Sequence, residues 1–470
     1  MRLIFEQVRL VDHSMDRRGT LTVEGGIIRQ ISFHEDSPLP IDELYHGPAI
    51  HIDCTGTDWV LMPAFVDLHA HFRDPGFPEK ENLESASLAA AAGGYGTVVC
   101  MANTSPPIDS LDLAQCLRSR SAQLGLIDLY PALSLTRNME GRDTGHLEDL
   151  QREALQGEAL RDMVRLLSED GKDVADDATL RRAFQAARIL GLPVSYHCDW
   201  GGAEAEAAKI AGKPRSVWSR IAENRATERV LAIAAECGIH IHIAHVSTKE
   251  ALEMVRKARQ KANLGLTQNR DPDSQNEMGQ QNFRVTCEVT PHHLACTEAD
   301  AARLGAESFG RVNPPLRTTE DIAALIRGIQ EGTIDAIATD HAPHTEADKK
   351  GGAPGFTGLE TAFPVSHAAL VEGNHCSLQK LSALMSYKPS RILGLTDRGM
   401  LAPWARADLV LADLTAEQIV QKTDFKSRSA NSPFIGQRLL GRILMTVHQG
   451  KIVYGNLQEL QNQARSAECT

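Results

Sequence analysis

The chain has 470 residues, more than one compact core normally holds, so two or more cooperating units are expected. Its 49 Lys and Arg against 61 Asp and Glu give a formal net charge of −12, which argues against a nucleic-acid or acidic-membrane partner but leaves room for a small anion held by a local arginine. No run approaches the ~20 apolar residues that span a bilayer, and the charged start MRLIFEQVRLVD does not read as a signal peptide. Nine scattered Cys, without CxxC pairs, read as reduced thiols, so a cytoplasmic protein is expected.

The first short β-like runs are Leu3–Leu10, Thr20–Val23 and Ile27–Phe33, with a turn at Gly25-Gly26. The middle alternates apolar runs with helical stretches such as Leu83–Ala92 and Ala178–Leu190, the pattern of βα units. Candidate strands are Val60–Leu68, Thr97–Met101, Asp128–Leu133, Asp162–Leu167, Pro193–Tyr196, His240–Ala244, Val285–Val289 and Ala336–Thr339. That series predicts a (β/α)8 barrel of the TIM type, and no glycine-rich dinucleotide loop follows the first strand to favour a doubly wound sheet. Residues 263–282 read as a polar insertion, solvent-exposed or partly disordered. Asp408–Asp413 and Arg442–Tyr454 are β-like again, the latter a hairpin turning at Gln449-Gly450. The expected organisation is therefore a barrel over 59–395 and a small β-sandwich domain formed by both chain ends, 1–58 and 396–456, with a polar tail over 457–470.

Chemistry gathers where the strands stop. The first ends in Asp67-Leu68-His69-Ala70-His71, the fourth in Ser168-Glu169-Asp170, the fifth in His197, the sixth in His245 and the eighth in Asp340-His341. In a barrel these C-terminal ends share one mouth. Imidazole and carboxylate converging there suit one or two divalent metals. An HxH pair alone says little, since 18 His occur in the chain, but five matching strand ends say much more. Asp67 could orient one imidazole, while His240, His242, His292 and His293 read as structural or supporting.

These residues sit in motifs that resemble the bacterial type I dihydroorotases of the amidohydrolase superfamily. The motifs are DLHAHFRDPG (67–76), AAAAGGYGTVVCMANTSPPID (89–109), SEDG (168–171), YHCD (196–199), AHVST (244–248), VTCEVTPHHL (285–294), VNPPLR (312–317), ATDHAPHT (338–345), FTGLETAFP (356–364) and SANSPFIGQRLLGRI (429–443). The likeness runs nearly end to end, in family order. It implies one or two Zn2+ per chain, with His69, His71 and Asp340 on one metal, His197 and His245 on the other, and Asp170 as the bridge. Many relatives bridge with a carboxylated lysine, for which Lys172 is the alternative here. The SEDG motif also departs from the commoner SDDG.

The resemblance further implies that His71, Arg73, Asn103, Asn313 and His344 bind the substrate, with a closing loop at Gly355 and Phe356. The implied reaction is reversible hydrolysis of dihydroorotate to N-carbamoyl-L-aspartate in pyrimidine biosynthesis. Water activated by the metals would attack the ring amide, with Asp340 as base and then acid. The alternatives are a hydantoinase- or allantoinase-type cyclic amidase, and a non-catalytic partner of aspartate transcarbamoylase. Association with that transcarbamoylase and a homodimer stay open.

Overall fold

Apolar runs at the start of the chain form β1 (Arg2–Val11), β2 (Asp16–Glu24), β3 (Ile27–Phe33), β4 (Ala49–Asp53) and β5 (Trp59–Pro63). The computed structural model describes residues 2–33, 48–152, 158–174, 176–200, 203–213, 215–268, 283–458 and 460. Gly25 and Gly26 take φ of 61° and 82°, the left-handed pair that a two-residue hairpin between β2 and β3 requires.

The barrel strands follow: β6 (Phe65–Ala70), β7 (Tyr95–Cys100), β8 (Asp128–Pro131), β9 (Leu133–Ser134), β10 (Leu167–Ser168), β11 (Val194–Tyr196), β12 (His240–Ile243), β13 (Arg284–Val289) and β14 (Ala336–Ile337). All their pairings are parallel. β8 and β9 are two halves of one barrel strand, interrupted at Ala132; the first half pairs with β7 and the second with β10. A parallel bridge between Ala70 and His341, with the His71 amide donating to the His341 carbonyl at 2.8 Å, joins the last strand to the first. The result is a closed eight-stranded parallel barrel. β6 and β7 are buried along their whole length, as strands covered on both faces must be.

The chain then returns as β15 (Leu409–Ile419), β16 (Arg438–His448) and β17 (Lys451–Tyr454). These extend the first sheet in the order β17-β16-β15-β5-β1-β2-β3, with β4 beside β1. This β-sandwich of both chain ends has its own core around Leu3, Phe5, Leu61, Leu409 and Met445.

Two strand expectations need correction. Val60–Leu68 is two strands: Trp59–Pro63 lies in the sheet of the chain ends, and only Phe65–Ala70 enters the barrel. Pro63 has no N–H to donate, and the hand-over follows at once. The Ala64 amide donates to Asp408 O and the Phe65 amide to Gly94 O, each at 2.9 Å. Asp162–Leu167 is mostly not strand, because Glu158–Met163 (EALRDM) is rich in helix formers and forms a helix, leaving the two-residue β10.

The helices behave as the sequence suggests. Leu83–Ala92 starts at the Asn82 cap, and Asp177–Leu190 starts at the Asp176 cap and stops at Gly191 with φ 66°. The helix Lys249–Gln268 runs into the expected polar insertion, whose remainder, 269–282, lies outside the described residues, as does most of the tail. Among the described residues no helix is long and apolar enough to cross a membrane.

Candidate metal centre

The parallel strands deliver six side chains to the C-terminal mouth. His69 lies in β6 and His71 just beyond it, Asp170 follows β10, His197 follows β11, His245 follows β12 and Asp340 follows β14. All six are buried, none more than 6% exposed. Asp170 is the hub. Its Oδ1 stands 3.1 Å from His69 Nε2, 3.5 Å from His197 Nδ1 and 3.8 Å from His245 Nε2, and its Oδ2 stands 3.5 Å from His71 Nε2. Asp340 Oδ1 is 3.1 Å from His71 Nε2 and 3.7 Å from His69 Nε2. His197 Nδ1 and His245 Nε2 face each other at 2.8 Å. Donor atoms of His69, His71 and Asp340 lie within 4.8 Å of one another, as do those of His69, Asp170 and His245.

The outer contacts fix which nitrogen faces inward. His69 Nδ1–H donates to Glu288 at 3.0 Å, and His71 Nδ1–H donates to the Asn103 carbonyl oxygen at 2.9 Å. Each neutral ring then aims the Nε2 lone pair at a carboxylate oxygen, a repulsive arrangement unless a proton or a cation lies between. His69 Nε2 is buried and makes no hydrogen bond. Among the described residues no Lys or Arg pairs with Asp170 or Asp340 within 4.0 Å.

The electrostatics point the same way. Burial alone would drive His69 neutral, yet Asp170 and Glu288 raise its pKa well above the usual value, and burial of His197 is outweighed by Asp170 and Asp199, which push it up to about 10. Burial disfavours ionised Asp170 and Asp340, but the facing imidazoles hold both below the usual carboxylate range. Protons on the imidazoles thus supply the positive charge that the carboxylates demand. A divalent cation supplies it better, and the N and O donor set fits one.

The supporting contacts depart from sequence reasoning in the residue that orients His69. Asp67 does not orient an imidazole; it accepts from the Thr339 amide at 3.0 Å and hydroxyl at 2.5 Å, and from the His69 amide at 3.2 Å. Fully buried Glu288 takes that role, receiving His69 on one oxygen and His242 Nε2 on the other at 3.0 Å. Its place in VTCEV, alternating with buried apolar residues on a central strand, was the available signal. Lys172 is exposed in the turn after β10, while Asp170 lies among the imidazoles. Glu169 caps amides of Leu135 and Thr136, each at 3.0 Å. Backbone strain also collects here, because Arg73, His245 and Asp340 take φ of 56°, 32° and 47°.

The expected substrate residues lie around the cluster. Arg73 is partly buried; its Nε is 3.4 Å from Pro343 O and its Nη2 is 3.3 Å from His344 Nε2, and among the described residues no carboxylate lies within 4.0 Å of it. His344 Nε2–H donates to Pro354 O at 2.9 Å, and burial together with Arg73 lowers its pKa to about 3, so the ring is neutral. Asn103 Nδ2 donates to Asp170 at 3.1 Å. Asn313 Nδ2 lies 2.9 Å from Asp199 and 3.2 Å from His197 Nε2, and its oxygen accepts from Arg215 at 3.3 Å. Gly355, at φ 136°, sits against Ala342 where a Cβ would come within 2.5 Å of its methyl. The Phe356 ring is buried with Val312 and Leu316, and the loop backbone is held within the chain, the Gly355 amide donating to Arg311 O at 3.0 Å and the Phe356 carbonyl accepting from the Ala342 amide at 2.7 Å. Sequence reasoning missed Arg215 and Asp199 as neighbours of the site.

Residues 60–453 match the amidohydrolase family, and the chain belongs to it. It is similar to the dihydroorotase of Clostridium botulinum (strain Eklund 17B / Type B), with 35% identity over 97% of this chain and 100% of that protein. The dihydroorotase of Aquifex aeolicus is 34% identical over 97% of this chain and 99% of its own. Among solved structures, the L-hydantoinase (dihydropyrimidinase) from Arthrobacter aurescens shares the fold with TM-score 0.80 at 24% identity, covering 96% of both chains. The dihydropyrimidinase from Brevibacillus agri NCHU1002 gives 0.78 at 21% identity, covering 97% of this chain and 96% of that one.

Proposed function

We propose that this protein is a dihydroorotase, hydrolysing (S)-dihydroorotate reversibly to N-carbamoyl-L-aspartate in pyrimidine biosynthesis, with one or two Zn2+ held by His69, His71, Asp170, His197, His245 and Asp340. The full-length likeness to dihydroorotases supports the reading. The observation that carries it is Arg73, a guanidinium beside the donor cluster with no carboxylate in contact among the described residues. A planar two-donor fork left unpaired at the mouth suits a substrate carboxylate, which dihydroorotate has and hydantoin lacks.

Bound zinc would supply an activated water and a Lewis acid for the ring carbonyl. Asp340, kept ionised by the facing imidazoles, takes the proton of the attacking water and returns one to the leaving ring nitrogen. Asn103, Asn313 and neutral His344 offer amide and imidazole groups to the ureide and carboxylate.

Kinetics of Arg73→Ala on dihydroorotate and on the neutral analogue dihydrouracil test the reading. Loss of one member of a hydrogen-bonded charge pair costs ~2–5 kcal/mol, roughly 30- to 5,000-fold in kcat/KM. We expect that loss on dihydroorotate only, with metal content unchanged and partial rescue by Arg73→Lys. Equal losses on both substrates would replace the reading with a general cyclic amidase.

A further inference from the structure

The opposite end of the barrel carries a second charged concavity that the reaction does not use. Where the chain enters β10, β11, β12 and β13, a cavity of about 840 Å3 opens between the ends of the preceding helices. Among the described residues its charged lining is Arg161, Arg165, Arg188, Arg284 and Arg391, opposed by Asp162. In a chain of net charge −12, this local excess of four positive charges runs against the overall balance.

The ordinary explanation is that cations at helix C-termini complement the dipole and cap terminal carbonyls. It accounts for part of the pattern: Arg161 donates to Gly191 O at 3.2 Å, Arg188 to Cys237 O at 3.4 Å, and Arg391 to Leu395 O and to Arg398 O. It does not account for the rest. Each of these bonds uses one or two of the five N–H donors on a guanidinium. Arg165 meets a carboxylate, Asp162 at 3.5 Å, and its buried Nε has no partner. Arg188, Arg284 and Arg391 have no Asp or Glu within 4.0 Å among the residues whose side chains are described. The field is strong enough to reach His240 on the cavity wall, where burial and then Arg284 hold the imidazole well below its usual pKa.

We propose that this basin is a binding site for a small molecule carrying two or more phosphate groups. The volume lies in the range of small-ligand pockets. Guanidinium forks anchored on backbone carbonyls are pre-oriented for phosphate oxygens, and a diphosphate of charge near −3 offsets the local excess. The ligand is an effector rather than a substrate, because the basin lies at the strand ends remote from Asp170 and Asp340.

The test is calorimetric titration of the intact, metal-loaded protein with ADP and, separately, inorganic phosphate. Saturable binding of ADP at one site per chain is expected, weaker binding of phosphate, and weakening of both as salt is raised. Arg188→Glu with Arg284→Glu, both at exposed positions, should weaken ADP binding at least tenfold while hydrolytic activity stays within about twofold. Asp340→Asn should leave ADP binding unchanged. Absence of saturable binding, equal binding by the double variant, or loss of binding in Asp340→Asn would overturn the proposal. Should the double variant fold poorly, Arg284→Ala alone decides, with a loss of threefold or more expected.

Discussion

Two buried charge clusters in this protein solve the same problem in opposite ways. At the seam between the barrel and the sheet of the chain ends, Asp128 meets Arg398 at 2.5 Å and Arg406 at 2.6 Å, Asp408 meets Arg406 at 2.8 Å, and His448 stands 3.3 Å from Asp408. Arg398 also pairs with Asp397 at 2.9 Å, so two guanidiniums and His448 balance three carboxylates. At the mouth, Asp170 and Asp340 converge with four imidazoles and, among the described residues, no guanidinium in contact. Paired burial makes a seam; unpaired burial makes a place for a cation. The contrast separates a structural cluster from a chemical one without reference to any relative.

Removing the hub of the mouth should have the largest effect. Asp170→Ala is expected to abolish turnover and lower metal content while leaving the fold intact, measured by elemental analysis beside kinetics. Lys172→Ala, in an exposed turn, should leave turnover unchanged and stability within about 0.5 kcal/mol. The reverse ranking would move the bridge to Lys172.

Breaking the seam should do the opposite. Asp128→Ala removes the carboxylate shared by two guanidiniums, leaving Arg406 with Asp408 and Arg398 with Asp397, and should cost ~3 kcal/mol in chemical denaturation, the low end for a buried pair, with metal content unchanged. Burial opposes the charged form of Asp128, but His448, Arg406 and Arg398 hold its pKa below the ordinary Asp value. The stability it contributes is therefore present above the unfolded Asp value of ~3.9 and is lost as pH falls toward the depressed folded value. Stability of Asp128→Ala should vary less with pH in that acid range. An equally steep acid dependence would assign it to other carboxylates.

A smaller effect should come from the residue that aims His69. Glu288→Gln keeps the shape and an acceptor oxygen but loses the charge, and outer-contact changes of this kind typically cost roughly 10–100-fold in metal affinity or activity. No change in zinc affinity would mean that packing alone holds the ring.

Much of the mouth was legible because its residues sit at the ends of apolar runs and in compact motifs such as DLHAHFR and ATDHAP. What was not legible has physical causes. β10 has two residues, too few to show a period, so its start was read at Asp162 rather than Leu167, inside a helix. The unbroken apolar character of 59–66 hid the change of sheet at Ala64, which only the non-local partners Asp408 and Gly94 define. Glu288 reads as one polar residue in a strand until His69, 219 positions away, is brought against it. The seam draws on Asp128, Arg398, Arg406, Asp408 and His448, so it has no local signature.

The central claim is that the mouth is built around a cation the chain does not supply. The direct measurement is zinc titration of chelator-stripped protein, following heat, proton release and dihydroorotase activity together. One or two Zn2+ per chain should bind, with protons released because His69 and His197 hold theirs tightly in the metal-free state, and activity should return in step with occupancy. Full dihydroorotase activity in protein shown by elemental analysis to be metal-free would contradict the account.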